Sequence, residues 1–165
     1  MIALEGGDSG VEADRSTITR DNRRISVQMQ QQADRTFTEK GLTSVQAHLL
    51  LYILKHSEKG ISLTEIHREF GYSMAALSSL VKRLREKGYV RTVPCAGDDR
   101  RKILYGTEKG EEVWEFLDRS FFGTQDQLYQ GFSQEELATL DRLQKKMLRN
   151  LAELTQHNSK EESKP

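Results

Sequence analysis

Between Gly71, which closes one short helical pattern, and Ser73, which opens the next, the chain has a single residue, Tyr72. Only a tight turn fits between the two helices there. The first, "SLTEIHREFG", starts on the capping pair Ser62 and Glu65 and puts Leu63, Ile66 and Phe70 on one face. The second, "SMAALSSLVKRLREKGYV", turns Leu77, Leu80, Val81 and Leu84 inward and closes at Gly88, with Lys87 in its last turn. Such a pair is a candidate helix-turn-helix, and the outer face of its second helix is what bears on function. Ser73, Ala75, Ala76, Ser78 and Ser79 are small, and Lys82, Arg83 and Arg85 come behind them. Small side chains let a helix sink into a DNA major groove, where hydroxyls and bases meet base edges or phosphate. Ser62 at the start of the first helix joins that candidate set. Serine and alanine are also ordinary on any solvated helix, so this face needs support from its surroundings.

The support follows immediately in the chain. "VRTVP" and "KILY" are β-rich runs flanking "CAGDDRR", with Pro94 suited to an edge strand and Gly97 to a turn. A helix-turn-helix followed by a basic-tipped hairpin is a winged helix, and an arginine at the tip of a wing can enter the narrow, electronegative minor groove. Net charge is zero over the whole chain, which taken alone argues against nucleic acid. The charge is unevenly placed, however. Residues 73–106 hold eight bases and three acids, a local balance of +5, whereas residues 107–165 hold eight bases and twelve acids. Positive charge is therefore concentrated on the segment that would meet phosphate.

Helical patterns flank this unit on both sides. Ile18, Ile25, Met29, Ala33 and Phe37 draw one narrow stripe over residues 14–38, and Thr43 with Gln46 opens a helix that carries Val45, Leu49, Tyr52 and Ile53. Past the wing, one helix from Thr107 carries Val113, Phe116, Leu117, Phe121 and Leu128. Another opens on Ser133 and Glu136 with Leu137, Leu140, Met147, Leu151 and Leu154. Narrow stripes at both ends of the chain pack most economically against a second copy, so residues 14–38 and 111–156 are assigned to dimerisation around a winged helix at 39–110. A homodimer also presents two recognition helices about one DNA turn apart. Residues 1–13 and 157–165 lack apolar periodicity and read as tails.

Other classes of function find little to stand on. The serines have no strand-to-helix glycine elbow, the four histidines show no metal-binding spacing, and no glycine-rich phosphate loop occurs, so no catalytic residue, metal or cofactor is expected. No run of about 18 apolar residues and no basic-then-apolar start is present, so a cytoplasmic protein without a membrane partner is expected. Cys95, the sole cysteine, excludes an internal disulfide; it is either a small apolar filler or a redox sensor. His48 and Trp114 are either buried aromatics or the lining of a ligand pocket.

Residues 42–110, "LTSVQAHLLLYIL…SLTEIHREFG…LSSLVKRLREKGYV…GDDRRKILYGTEKG", resemble the MarR family of bacterial and archaeal transcription regulators, and the flanking helices extend the likeness over roughly 20–155. That family's wing carries Asp-x-Arg a fixed distance before Thr-x-x-Gly, a pattern that falls here on Asp98, Arg100, Thr107 and Gly110. The resemblance implies that Arg100 inserts into the minor groove and that Asp98 holds it in place, with Arg101 and Lys102 beside them on the DNA-facing wing. Ser79 stands where the family often has arginine, and Gly106 where it has leucine. The implied function is that of a homodimeric regulator on a near-palindromic duplex operator, a repressor released by a small-molecule effector. The competing reading is a winged-helix module that binds protein and not DNA.

Overall fold

The computed structural model describes residues 14–95 and 98–161, with side chains described for 14–95 and 102–154. Helices begin where a side chain takes over their free backbone N–H groups. Asp14 accepts from the N–H groups of Ser16 (3.0 Å) and Thr17 (3.1 Å) and opens a helix at Arg15–Phe37, α1. A 3₁₀ turn at Thr38–Lys40 leads into the helix Ser44–Lys55, α2, through the reciprocal capping box of Thr43 and Gln46. Ser62 and Glu65 form the second such box at Leu63–Phe70, α3, and Ser73 caps Met74–Glu86, α4. These starts agree with the sequence pattern.

The sheet differs from it in two ways. Ile61–Ser62 form a short strand, β1, which no local pattern announces, because two residues are strand only by virtue of their partner. That partner is Asp98–Gly106, β3, which lies between β1 and Val90–Cys95, β2, in an antiparallel sheet of order β1-β3-β2. Second, the return strand starts at Asp98 and not at Lys102, so "DDRR" is strand backbone where a loop was expected. Register runs regularly from Val90↔Gly106 to Pro94↔Lys102 and then shifts, pairing Cys95 with Asp98. Pro94 has no N–H to give to the ladder, which suits an irregularity at that point. Ala96 and the expected turn residue Gly97 lie outside the described residues.

Beyond the wing the single expected helix is two, Glu108–Glu111 (α5) and Trp114–Leu128 (α6), separated at Glu112 and Val113. The break lets Gly110 bury against the wing's base while Leu117, fully buried, points into the core. Gln134–Glu161, α7, opens on Ser133 and Glu136 as expected, and runs past residue 156, since no glycine or proline interrupts it before its end. The tail expected at 1–13 lies outside the described residues, as do residues 162–165.

Residues up to Thr124 form one compact unit and those from Gln125 another. In the first, α2 is the hub, with Ala47, Leu50 and Ile53 wholly buried against Ile66, Leu77, Leu84 and Leu104. Phe37 closes one end of this core, meeting Phe116 edge-on at 6.1 Å and Phe121 at 4.8 Å. The outer stripe of α1 stays uncovered at Ile18, Ile25 and Met29. In the second unit, α7 leaves Leu143, Met147, Leu148, Leu151 and Leu154 between 45% and 66% exposed. Among the described residues no helix is long and apolar enough to cross a membrane.

Candidate nucleic-acid interface

The turn between α3 and α4 is held from both sides. Gly71, at φ 69°, ends α3 with its N–H on the His67 carbonyl, and His67 Nδ1 donates to the Tyr72 carbonyl at 2.6 Å. A carbonyl only accepts, so this nitrogen carries the proton. Tyr72 lies parallel to Phe70 with ring centroids 6.1 Å apart, and Tyr52 of α2 meets Phe70 edge-on at 5.1 Å. The start of α4 is thus set by rings and a histidine as well as by chain length.

Leu77, Val81 and Leu84 anchor α4 in the core, with Leu80 half-buried beside them, and this choice of face leaves Ala75, Ala76, Ser78, Ser79, Lys82 and Arg83 exposed. Ser73 is exposed as well, its Oγ accepting from the Ala76 N–H at 3.2 Å. Lys82 and Glu86 make a 3.9 Å ion pair between exposed side chains, too weak to immobilise either. Ser62 is different. It is 2% exposed, it belongs to β1, and its Oγ donates to Glu65 Oε2 at 2.6 Å while accepting from the Glu65 N–H at 3.3 Å. Its hydroxyl is committed to the start of α3, unlike those of the exposed serines of α4. Tyr72 and Met74, 38% and 44% exposed, border the same face and were not anticipated. Their position on either side of the α4 cap was the available signal.

The far end of α4 is bolted down by several polar ties. Gly88 takes φ 80°, which lets the Tyr89 N–H return to the Leu84 carbonyl at 3.0 Å. Lys87 Nζ donates to the Gly41 carbonyl and to Gln46 Oε1 (3.0 Å), and Tyr89 Oη donates to the Lys40 carbonyl at 3.2 Å. From the other side Lys109 Nζ reaches the Lys87 carbonyl and Thr107 Oγ1 the Gly88 carbonyl, both at 2.6 Å. A Cβ at Gly110 would fall 2.5 Å from the Tyr89 carbonyl oxygen. The Thr-x-x-Gly pattern therefore has a structural meaning: threonine ties α5 to the end of α4, and glycine permits the close approach.

In the wing, the backbone of Asp98–Arg101 belongs to β3, while the side chains that would show the Asp98–Arg100 pairing, and that of Arg101, lie outside those described. Lys102 is exposed opposite Pro94, and Arg91 lies over the Tyr105 ring at 4.6 Å. At Gly106 a Cβ would come within 2.4 Å of Leu54 Cδ2, and its N–H donates to Ser57 Oγ at 2.9 Å. Leu54 thus occupies the space next to the position where a leucine would follow the resemblance. The remaining candidates are Cys95, His48 and Trp114. Cys95 is half-buried and free of any disulfide. His48 packs its ring on Phe121 at 4.0 Å and bonds the Ser44 carbonyl through Nδ1 at 2.9 Å. Although His48 as a residue is exposed, shielding of the ring from water lowers its pKa below the usual histidine value, against the opposing pull of the Ser44 carbonyl. Trp114 is half-buried, with Lys55 Nζ over its ring at 5.9 Å. Among the described residues no group of three or more His, Cys, Asp or Glu could hold a metal ion.

With this geometry in place, likeness to known proteins becomes informative. The MarR family model matches residues 40–101, which runs from the α1–α2 junction into the wing. The transcriptional regulator SlyA is similar over 82% of this chain and 94% of its own, with a TM-score of 0.76 and 25% sequence identity. A MepR–DNA complex from S. aureus is similar over 84% of this chain and 99% of its own, with a TM-score of 0.75 and 27% identity. A putative MarR family regulator from Listeria monocytogenes, complexed with 26mer DNA, shares the fold at a TM-score of 0.77, 22% identity and coverage of 86% and 93%.

Proposed function

We infer, from the MarR-family winged helix that this chain carries, that it represses transcription by binding a near-palindromic duplex operator as a homodimer. The observation that carries the reading is the outer face of α4. Small residues at 75, 76, 78 and 79 are followed by Lys82 and Arg83, all exposed, on a helix held at both ends and flanked by a hairpin in a segment of net charge +5. In this reading α4 enters the major groove and the wing lays Arg100 in the adjoining minor groove, oriented by Asp98, with Arg101 and Lys102 near the backbone. The DNA bound by the S. aureus relative supports it. The uncovered stripes of α1 and α7 are the natural seat of a second copy, since each would otherwise leave several large apolar side chains in water. Release by a small-molecule effector follows from the family likeness, and a repressor works in the compartment that holds its DNA.

The test is selection from a random duplex library by the full chain, followed by affinity measurements between 50 and 200 mM salt. The expected result is an enriched inverted repeat whose binding weakens with a log-log slope of about −0.9 per phosphate contact. Failure to enrich any duplex, or binding that ignores salt, would refute the reading.

A further inference from the structure

We propose that Lys87 is a positioning residue for operator recognition: by tying the C-terminal end of α4 to the α1–α2 junction, it sets the spacing between half-sites that the dimer accepts. This inference rests on the reading of the chain as a dimeric DNA-binding protein. It starts from a difference between the two kinds of contact that hold α4. Leu77, Val81 and Leu84 bury its inner face, and apolar burial is strong but non-directional, so it permits small rolls and slides. Hydrogen bonds at the helix ends are directional and remove that freedom.

The C-terminal ties point in two directions. Lys109 and Thr107 join α4 to α5, which follows the wing strand β3 directly in the chain. Lys87 points the other way. Its ammonium donates to the carbonyl of Gly41 and to the buried amide oxygen of Gln46, and Gln46 Oε1 also accepts from the Thr43 N–H as part of the α2 capping box. One residue on, the Ser44 N–H donates to Asp34 Oδ1 of α1 at 2.6 Å. A continuous polar path therefore runs from α1 through the first turn of α2 to the end of the recognition helix. Tyr89 adds a parallel bond to Lys40 from just beyond the helix. Since α1 bears one of the apolar stripes assigned to the partner copy, this path relates α4 to the dimer.

The scale of the effect follows from helix geometry. α4 has 13 residues, a length of about 20 Å at 1.5 Å per residue. Pivoting it by about 10° displaces one end by about 3.4 Å, the rise of one base pair. One base pair also turns a half-site by about 35° around the duplex axis. A loss of angular restraint of that size is what blurs the distinction between neighbouring spacings. Lys87 is half-buried and already donates to two acceptors, so it is assigned no phosphate contact.

The experiment uses the full chain and the duplex enriched by it, together with two duplexes whose half-sites stand one base pair closer or further apart. Wild type should bind the altered duplexes about tenfold more weakly, the usual scale of one mismatched contact. Lys87→Met keeps the apolar stem and removes both bonds. It should bind the best duplex several-fold more weakly and discriminate among spacings by about threefold or less, with the salt slope unchanged because no phosphate contact is lost. Lys87→Arg should recover most of the preference, as its guanidinium still donates to both acceptors. Should Lys87→Met melt below the assay temperature, Lys87→Gln, too short to hold both acceptors, replaces it with the same readouts. Uniform weakening with wild-type spacing preference would overturn the proposal by making Lys87 merely structural. A salt slope flattened by about 1.8 units would overturn it by making Lys87 a phosphate contact on each protomer. A wild-type protein that enriches no duplex, or only lone half-sites, refutes the dimeric DNA-binding reading itself and the role of Lys87 with it.

Discussion

Replacing Gly110 by alanine adds one methyl group at the base of the wing, and local rules give its effect the wrong sign. Gly110 lies in α5 and does not take a positive φ, so an alanine backbone is allowed there, and alanine in a helix gains about 0.5–1 kcal/mol over glycine. The surroundings reverse this. The new Cβ would stand 2.5 Å from the Tyr89 carbonyl oxygen and 3.2 Å from Leu54 Cδ2. A backbone carbonyl at the junction between α4 and β2 cannot rotate aside as a lysine tip can, so α5 must retreat by roughly an ångström to regain ordinary contact. That retreat stretches Thr107 N–H to Tyr89 O (3.1 Å), Thr107 Oγ1 to Gly88 O (2.6 Å) and Lys109 Nζ to Lys87 O (2.6 Å). Overpacking costs about 1–3 kcal/mol and each weakened bond up to about 1 kcal/mol, so after the helical gain a net loss of about 2–3 kcal/mol is expected. Gly123 is the control. It is also helical, but an added Cβ there meets nothing within 4 Å, and Gly123→Ala should stabilise the protein by about 0.5–1 kcal/mol. Urea unfolding of both variants at one protein concentration, with equal m-values, measures the difference. Equal or greater stability for Gly110→Ala would refute the argument that the Tyr89 carbonyl dictates glycine at this site.

Arg100→Ala should flatten the salt slope of operator binding by up to about 1.8 units for a dimer, and Asp98→Ala should also weaken binding although it removes a negative charge; tighter binding by Asp98→Ala in a titration on the same duplex would reduce "DDRR" to a charged edge of the sheet. Met147→Glu combined with Leu151→Glu, at positions 45% and 58% exposed, should abolish the proposed dimer in sedimentation velocity, and a variant that still dimerises would show that α7 is not the seat of the second copy. His48 has a folded-state pKa below its unfolded value, so the unfolded chain takes up the proton first as pH falls. The urea midpoint should therefore drop on going from pH 7.5 to pH 5.5, the drop should shrink in His48→Gln, and a drop of full size in that variant would place its cause elsewhere.

What the sequence by itself determined is what depends on residues three or four apart. The capping boxes at Thr43, Ser62 and Ser133 are closed by side chains that reach only their own first turn, and the single residue between Gly71 and Ser73 leaves no alternative to a turn. The inner faces of α2 and α4 follow from the same short period, which is why Leu77, Val81 and Leu84 were legible as core and the residues opposite them as a candidate groove-facing surface. Tertiary structure decided the rest, wherever a residue's role is set by a partner far along the chain. Ile61 is a strand residue because Leu104 pairs with it, and Ser62 is buried in the adjoining pair with Ile103. Lys87, read from sequence only as a favourable charge at a helix end, spends its ammonium on a turn 46 residues earlier. Gly106 and Gly110 are glycines because Leu54 and the Tyr89 carbonyl already fill the space beside them. Local hydrogen bonds and helical period are written in neighbouring residues, whereas excluded volume and long-range pairing exist only once the chain has brought distant segments together.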